Sequence, residues 1–392
     1  MVLFWVEDAL VCLDPIFFDV GGAFYVGSRS FIEAGRGTGA GAGRLHEHRG
    51  GEADACPTRF LSRGQGPGRC TVQVGPRILA GVTTIAHWDD LERERAEAGP
   101  LCSYWTDLST LAGSKTVRLN RIEVDPGKRS TPLHAENEEE EIFYVLRGSG
   151  LSWQREGERD ATYEVRAGDC LVHLGGEEAH TLVAGPDGLD VLAFGFGATP
   201  VLTYFPRLKA VRVGPALLDV DGRHQWPLEV SLGDPDLPPP SARPARIVNV
   251  DDVEPEEEER GEFRDTFRQL GRAAGSVRTG LNHSVVRAGK LNCPPHCHSA
   301  EEELFVVLDG EGTCLLGDEE LAVRRGHVVA RPAGTRVAHA FRGGETALTL
   351  LLYGTREPND IAYYPRSNKV YFRGVGLMAR IERLDYWDGE AD

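Results

Sequence analysis

Four side chains in the last third of this chain have the types and spacing of a divalent-metal site: His296, His298, Glu303 and His339. His296 and His298 are two apart, so on a strand both imidazoles leave the same face, about 7 Å apart at Cα. Glu303 follows five residues later, at the head of the apolar run Leu304–Leu308, and His339 comes after Pro332-Ala333-Gly334-Thr335. Three imidazoles and one carboxylate suit Fe, Mn, Ni, Co, Cu or Zn and leave positions open to water or substrate. Cys293 and Cys297 flank His296 in C-P-P-H-C-H, which offers a structural zinc site as an alternative. Against it, Cys297 sits between two inward-facing histidines and must point the other way.

The same offsets recur earlier in the chain as His134, Glu136 and Glu141, followed by His180, with Glu136 in place of the second histidine. Two histidines and two carboxylates make a harder set that leans toward Mn or Fe. Without a cation, two buried carboxylates raise each other's pKa until one protonates, so a metal-free cluster is the competing reading. In Glu138–Glu141 only Glu141 has the ligand register; Glu138 and Glu139 are expected in solvent, and Glu140 and Glu302 become ligands only if the register slips by one. Lys290 and Arg366, matched by Lys128 and Arg207, are candidate contacts to an anionic substrate. No catalytic residue beyond the ligand sets is assigned.

These residues need a scaffold, and the sequence writes it twice. Half the positions in Gly127–Gly150 are identical, without a gap, in Gly289–Gly312. Around them lie short β-branched and aromatic runs punctuated by Gly, Pro, Asp and Asn, such as Val117–Val124, Thr162–Val165 and Asp169–Val172, the pattern of a sandwich or barrel. His87–Ala98, rich in Glu and Arg, predicts a short helix. Both repeats close alike, Tyr204-Phe205-Pro206-Arg207 answering Tyr363-Tyr364-Pro365-Arg366. The expected division is a disordered Gly/Arg-rich extension over 1–81, a first domain over 82–232, a Pro-rich and acidic linker over 233–260 and a second domain over 261–392.

The order G-x6-H-x-H-x4-E-x6-G, then Gly326-x5-Pro332-x-Gly334-x4-His339, resembles the two motifs of the cupin superfamily. The resemblance covers roughly residues 115–210 and 280–370. It implies an all-β fold of two tandem double-stranded β-helix (jelly-roll) barrels, a bicupin, with a few short helices. It also implies one divalent metal on His296, His298, Glu303 and His339, with a second at the first-repeat set as the open question. This sequence departs from the motif by placing four residues between Gly334 and His339 where the family has two. In the first repeat, Leu174 stands where the family has proline.

Composition bounds the function. A net charge of −17 argues against nucleic acid and anionic membrane as partners. Met1–Gly22 is interrupted by Glu7, Asp8, Asp14 and Asp19 and lacks a basic leader, so no export signal is expected. No run of about 18 uninterrupted apolar residues offers a membrane span. The eight cysteines show no framework spacing and read as reduced thiols of a cytoplasmic protein. No phosphate-binding glycine loop or nucleophile elbow appears. The cupin resemblance implies a metal-dependent enzyme of dioxygenase, decarboxylase or isomerase type. It would act on a small organic molecule in the C-terminal barrel, as a monomer or homodimer. The alternative is a non-catalytic small-molecule-binding or storage-type bicupin.

Overall fold

The computed structural model describes residues 2–6, 9–13, 85–197, 201–213, 216–217 and 224–390. The extension expected over 1–81 lies outside them, except for an antiparallel hairpin of Val2–Val6 and Ala9–Leu13, part of a unit of its own. The second unit is all-β, a pair of tandem jelly-roll barrels with two short helices among the described residues, Gln225–Ser231 and Leu270–Ala273.

The large sheet of the first barrel runs in the order Ile247–Asn249, Asp169–His173, Glu140–Glu156, Ala179–Phe196, Val117–Val124, Leu101–Asp107, Glu94–Ala98, with Arg159–Arg166 also paired to Glu140–Glu156. A smaller sheet of Ala135–Glu136, Leu202–Phe205, Ala210–Val213 and Ala216–Leu217 faces it. The second barrel repeats the plan. Its large sheet reads Glu256–Arg260, Phe263–Arg268, Thr279–Val286, Leu348–Thr355, Glu303–Asp309, His327–Arg331, Ile85–His87.

The outermost strands are exchanged. Ile85–His87 precedes the first barrel in sequence but pairs with His327–Val329 of the second, and Ile247–Asn249 precedes the second but pairs with Asp169–Leu171 of the first. The linker expected over 233–260 therefore ends early: Ile247–Asn249 and Glu256–Arg260 are strands, and the acidic run forms an exposed edge strand against Phe263–Arg268. The helix expected over His87–Ala98 is also absent. A strand end, a 3-10 turn at Trp88–Asp90 and the strand Glu94–Ala98 occupy it, because the ladder to Leu101–Asp107 outweighs the favourable helix propensity of Glu, Arg and Ala.

The central strands are buried on both faces, which explains their unbroken apolar runs. In Glu140–Glu156, Phe143 and Val145 face the barrel interior while Ile142 and Tyr144 join a core shared by the two barrels. In Glu303–Asp309, Phe305 and Val307 face inward while Leu304 and Val306 join the shared core, where Phe194 stacks on Tyr353 at 4.8 Å. The glycines ending the repeated motif are obligatory: Gly148 and Gly310 sit at φ 88° and 76°, and a Cβ there would lie 2.0 and 2.1 Å from a carbonyl oxygen.

Two buried carboxylates lock the barrels reciprocally. Glu140 accepts hydrogen bonds from the backbone N–H groups of Val277, Arg278 and Thr279 and from the Thr279 hydroxyl. Glu302 accepts from Lys115 N–H, Thr116 N–H and the hydroxyls of Ser114 and Thr116. Both therefore point away from the barrel interiors, into the neighbouring barrel.

Candidate metal centres

In each barrel the two histidines that close the site are joined by a backbone bridge. His296 N–H donates to His339 O at 3.2 Å and His339 N–H to His296 O at 2.8 Å; His134 and His180 repeat this at 3.3 and 2.8 Å. The bridge brings residues far apart in sequence onto one inward face, and the start of the adjacent central strand delivers the glutamate.

In the second barrel, His296, His298 and Glu303 place one donor atom each within 4.8 Å of one another. Glu303 Oε2 lies 2.9 Å from His339 Nε2 and 3.3 Å from His298 Nε2, yet none of these buried atoms has a hydrogen-bond partner. Unpartnered buried polar atoms are costly unless something else satisfies them. Adjacent ligands on an ion held at about 2.1 Å stand about 3 Å apart, so this donor set fits a divalent cation. The outer nitrogens fix the rings: His296 Nδ1–H is positioned to donate to Pro294 O at 2.9 Å and His298 Nδ1–H to Asp360 Oδ2 at 2.7 Å. Asp360 is held in turn by the N–H groups of Ala300 and Glu301.

Electrostatics agree with an ionised carboxylate among imidazoles. Burial opposes ionisation of Glu303, but His298 and His339 outweigh it and hold its pKa well below the usual range. Burial takes His339 down to about 4 and lowers His296. His298 goes the other way: burial opposes its charge, but Glu303 and Asp360 raise it to about 10.

In the first barrel, His134, Glu141 and His180 converge in the same way, and Glu141 Oε2 and both His180 nitrogens are buried without a hydrogen-bond partner. Glu136 stands apart from this trio. It is 4.0 Å from His134 and accepts from the Thr203 hydroxyl, with burial and then Glu141 and Glu139 pushing it up to about 8. His173, which sequence reasoning passed over, stacks on His180 at 3.9 Å and pairs with Glu178. His134, Glu141 and His180 line a cavity of about 550 Å³.

Other expectations resolve differently. Glu139, expected in solvent, is buried and paired with Arg118, and its counterpart Glu301 is buried against His298 and Arg373. Lys290 is half-buried and donates to Gly261 O, while exposed Arg366 pairs with Glu262. Arg207 is held by Glu229 and Gly233 O. Cys293 Sγ lies 3.7 Å from the outer nitrogen of His296, and Cys297 is buried; both are free thiols. Asp360 was missed, since nothing local marks an aspartate ahead of an apolar strand. Its counterpart in the first repeat is Val201, read from the matched pairings Thr203–Glu136 and Ala362–His298.

A family model described as a cupin domain matches residues 120–187 and 282–353. Among solved structures, the formate complex of Lactobacillus farciminis oxalate decarboxylase is similar, with TM-score 0.51 and 12% identity over 70% of this chain and 86% of that one. So is Bacillus subtilis oxalate decarboxylase, studied for its Mn(II) centres, with TM-score 0.50 and 14% identity over 71% of this chain and 78% of that one. Hazelnut vicilin follows at TM-score 0.47 and 14% identity, over 71% and 87%. Comparison with curated protein sequences finds no match. No helix among the described residues is long and apolar enough to cross a membrane.

Proposed function

Because this chain is a two-domain cupin, we propose that it is a metal-dependent enzyme acting on a small organic molecule, with one divalent ion held by the cluster His296, His298 and Glu303 together with His339, which meets Glu303. The carrying observation is the set of inward, buried, unpartnered atoms His298 Nε2, His339 Nε2 and Glu303 Oε2. A bound metal would act as a Lewis acid toward substrate oxygens and, if redox-active, would open oxygen chemistry, so dioxygenation, decarboxylation and isomerisation are the reaction classes considered.

The chain's own residues prepare that centre. Pro294 O and Asp360 orient two of the rings through their outer nitrogens. Glu303 supplies the negative charge that offsets a cation, and Phe305, 5.2 Å from the His339 ring, excludes water on one side. Tyr364 stacks on His296 at 5.4 Å and limits the space above it. The proposal includes a cytoplasmic setting, a monomer or homodimer, and no nucleic-acid or membrane partner.

Metal analysis of protein purified without chelator tests it. About one equivalent per chain should vanish in His296→Ala while the circular dichroism spectrum is kept. Full occupancy in that variant would refute the ligand set. A further equivalent lost in His134→Ala would make the first barrel a metal centre too.

A further inference from the structure

The small sheet of the second barrel ends on an unguarded strand. Its order is Cys297–His298, Ile361–Tyr364, Lys369–Phe372, Leu377–Arg380, and no described strand pairs with the far side of Leu377–Arg380. Ile381 N–H donates to Asn368 O at 3.1 Å, which continues the ladder between the last two strands by one position. In an antiparallel ladder alternate residues turn both backbone groups to the partner. Leu377, Ala379 and Ile381 therefore bond inward, while Met378 and Arg380 present N–H and C=O to the free edge. Sheets protect such edges with charge. The large sheet of this barrel does so at Glu256–Arg260, where four glutamates and an arginine all stand in solvent. Leu377–Arg380 carries one charge, and Leu377 and Met378 are each about half exposed.

Apolar surface gathers around this edge. The register sets Ile361, Phe372 and Leu377 side by side on one face of the sheet. Val375 in the preceding turn and Leu384, Tyr386 and Trp387 beyond the strand are 62–84% exposed. Seven of the twelve large apolar side chains exposed among the described residues lie between Ile361 and Trp387. Their open area is on the order of the roughly 800 Å² that each partner gives to a standard interface. Arg383 donates to the Tyr363 hydroxyl and lies 5.5 Å over its ring, which holds the start of the terminal segment on the sheet. Lys369, Arg373, Arg380 and Arg383 precede Asp385, Asp388 and Glu390, so two copies running in opposite directions oppose unlike charges.

We propose that Leu377–Arg380 is the interface between two copies of this chain, paired antiparallel about a two-fold axis at Ala379. Met378 of one copy then exchanges N–H and C=O hydrogen bonds with Arg380 of the other, and Ala379 faces Ala379 across a non-bonded pair, where a methyl group admits the close approach. Two small sheets become one, and the apolar rows are covered. Arginine does not face arginine, whereas the same pairing at Glu256–Arg260 would set glutamates against glutamates. The pairing selects the homodimer from the two states left open above and does not depend on the metal ligands.

Light scattering during gel filtration of the full chain should give twice the chain mass. Met378→Pro removes an edge donor and spares the inward ladder, and Leu377→Asp puts a charge in the covered row. Each should raise the dimer dissociation constant at least tenfold; should Met378→Pro not fold, Leu377→Asp carries the test. Ala379→Cys sets two thiols on α-carbons about 4.5 Å apart, so mild oxidation should join most chains as disulfide dimers. In Arg380→Cys the two α-carbons stand beyond the roughly 7 Å limit, and crosslinking should stay at the background of the unsubstituted chain. Metal content is measured on the same samples, so loss of the dimer is read separately from loss of the metal centre. A monomeric unsubstituted chain, the result if another segment of the chain or nothing covers the edge, would overturn the pairing. So would a dimer unmoved by Leu377→Asp, or crosslinking in Ala379→Cys no greater than in Arg380→Cys.

Discussion

Both barrels hold two histidines on the same backbone bridge and a glutamate at the head of the same strand, and a proline carbonyl braces the first histidine in each, yet they differ in the third donor, its brace and the interior packing. In the second barrel a third imidazole, His298, is braced by Asp360; in the first, Glu136 replaces it and Val201 replaces the brace. The second interior is packed with Phe341 and Leu352, and the first is open. Backbone register alone therefore preserves a donor cluster through divergence, while metal preference and interior volume are set by side chains the register leaves free. Two conserved histidines and one glutamate do not make the barrels functionally equivalent.

The largest effects should come from what the barrels share. Glu140 and Glu302 are each almost fully buried, and each satisfies backbone N–H groups of the opposite barrel. Removing either carboxylate leaves those donors without partners, at about 1–3 kcal/mol per orphaned group moderated by relaxation. Glu140→Ala and Glu302→Ala should each lower the unfolding free energy by about 3 kcal/mol in denaturant titration, equally within about 1 kcal/mol. If one variant is near neutral while the other is severe, the reciprocity is only apparent and one barrel carries the joint.

A smaller effect separates the barrels. Asp360→Asn keeps shape but replaces the ionised acceptor of the His298 Nδ1–H bond, and loss of such a support weakens metal affinity about 10–100-fold. Competition against a chromophoric chelator should show this loss for the second-barrel site, with secondary structure kept. Val201→Ala, at the matching position, should leave that affinity unchanged. An unaltered affinity in Asp360→Asn would mean the Asp360 brace is dispensable and that the barrels differ at this point only in sequence.

What the sequence disclosed and what it hid follow one physical line. That His134, Glu141 and His180 gather in one barrel and His296, His298 and Glu303 in the other was legible because the period of two in a strand and the repeat itself fix which side chains share a face. Glu139 was misjudged because its partner Arg118 lies on a different strand of the same barrel, and the roles of Glu140 and Glu302 were not legible because Thr279 and Thr116 belong to the opposite barrel. The exchange of Ile85–His87 and Ile247–Asn249 was hidden for the same reason, since short edge strands carry no mark of which sheet they join. The cavity needed Leu182 and Ala193 to be compared with Phe341 and Leu352, a contrast that lies outside the matched motif segment.

The smallest effect belongs to a feature the barrels share without using it for chemistry. Lys128 Nζ donates to Gly99 O and Lys290 Nζ to Gly261 O, both at 2.8 Å in solvent-exposed hydrogen bonds. A solvated ammonium on a turn carbonyl exchanges one hydrogen bond with water for another, so its net contribution is small. Lys128→Ala and Lys290→Ala should each change stability by less than about 0.5 kcal/mol. Metal content should be unchanged in both. Substrate contact would require the Lys290 ammonium to leave Gly261, and a variant-specific loss of ligand affinity at Lys290 but not Lys128 would show that it does. Equal, near-zero effects instead make the matched lysines a surface relic of duplication, with the distinction between the barrels carried entirely by their interiors.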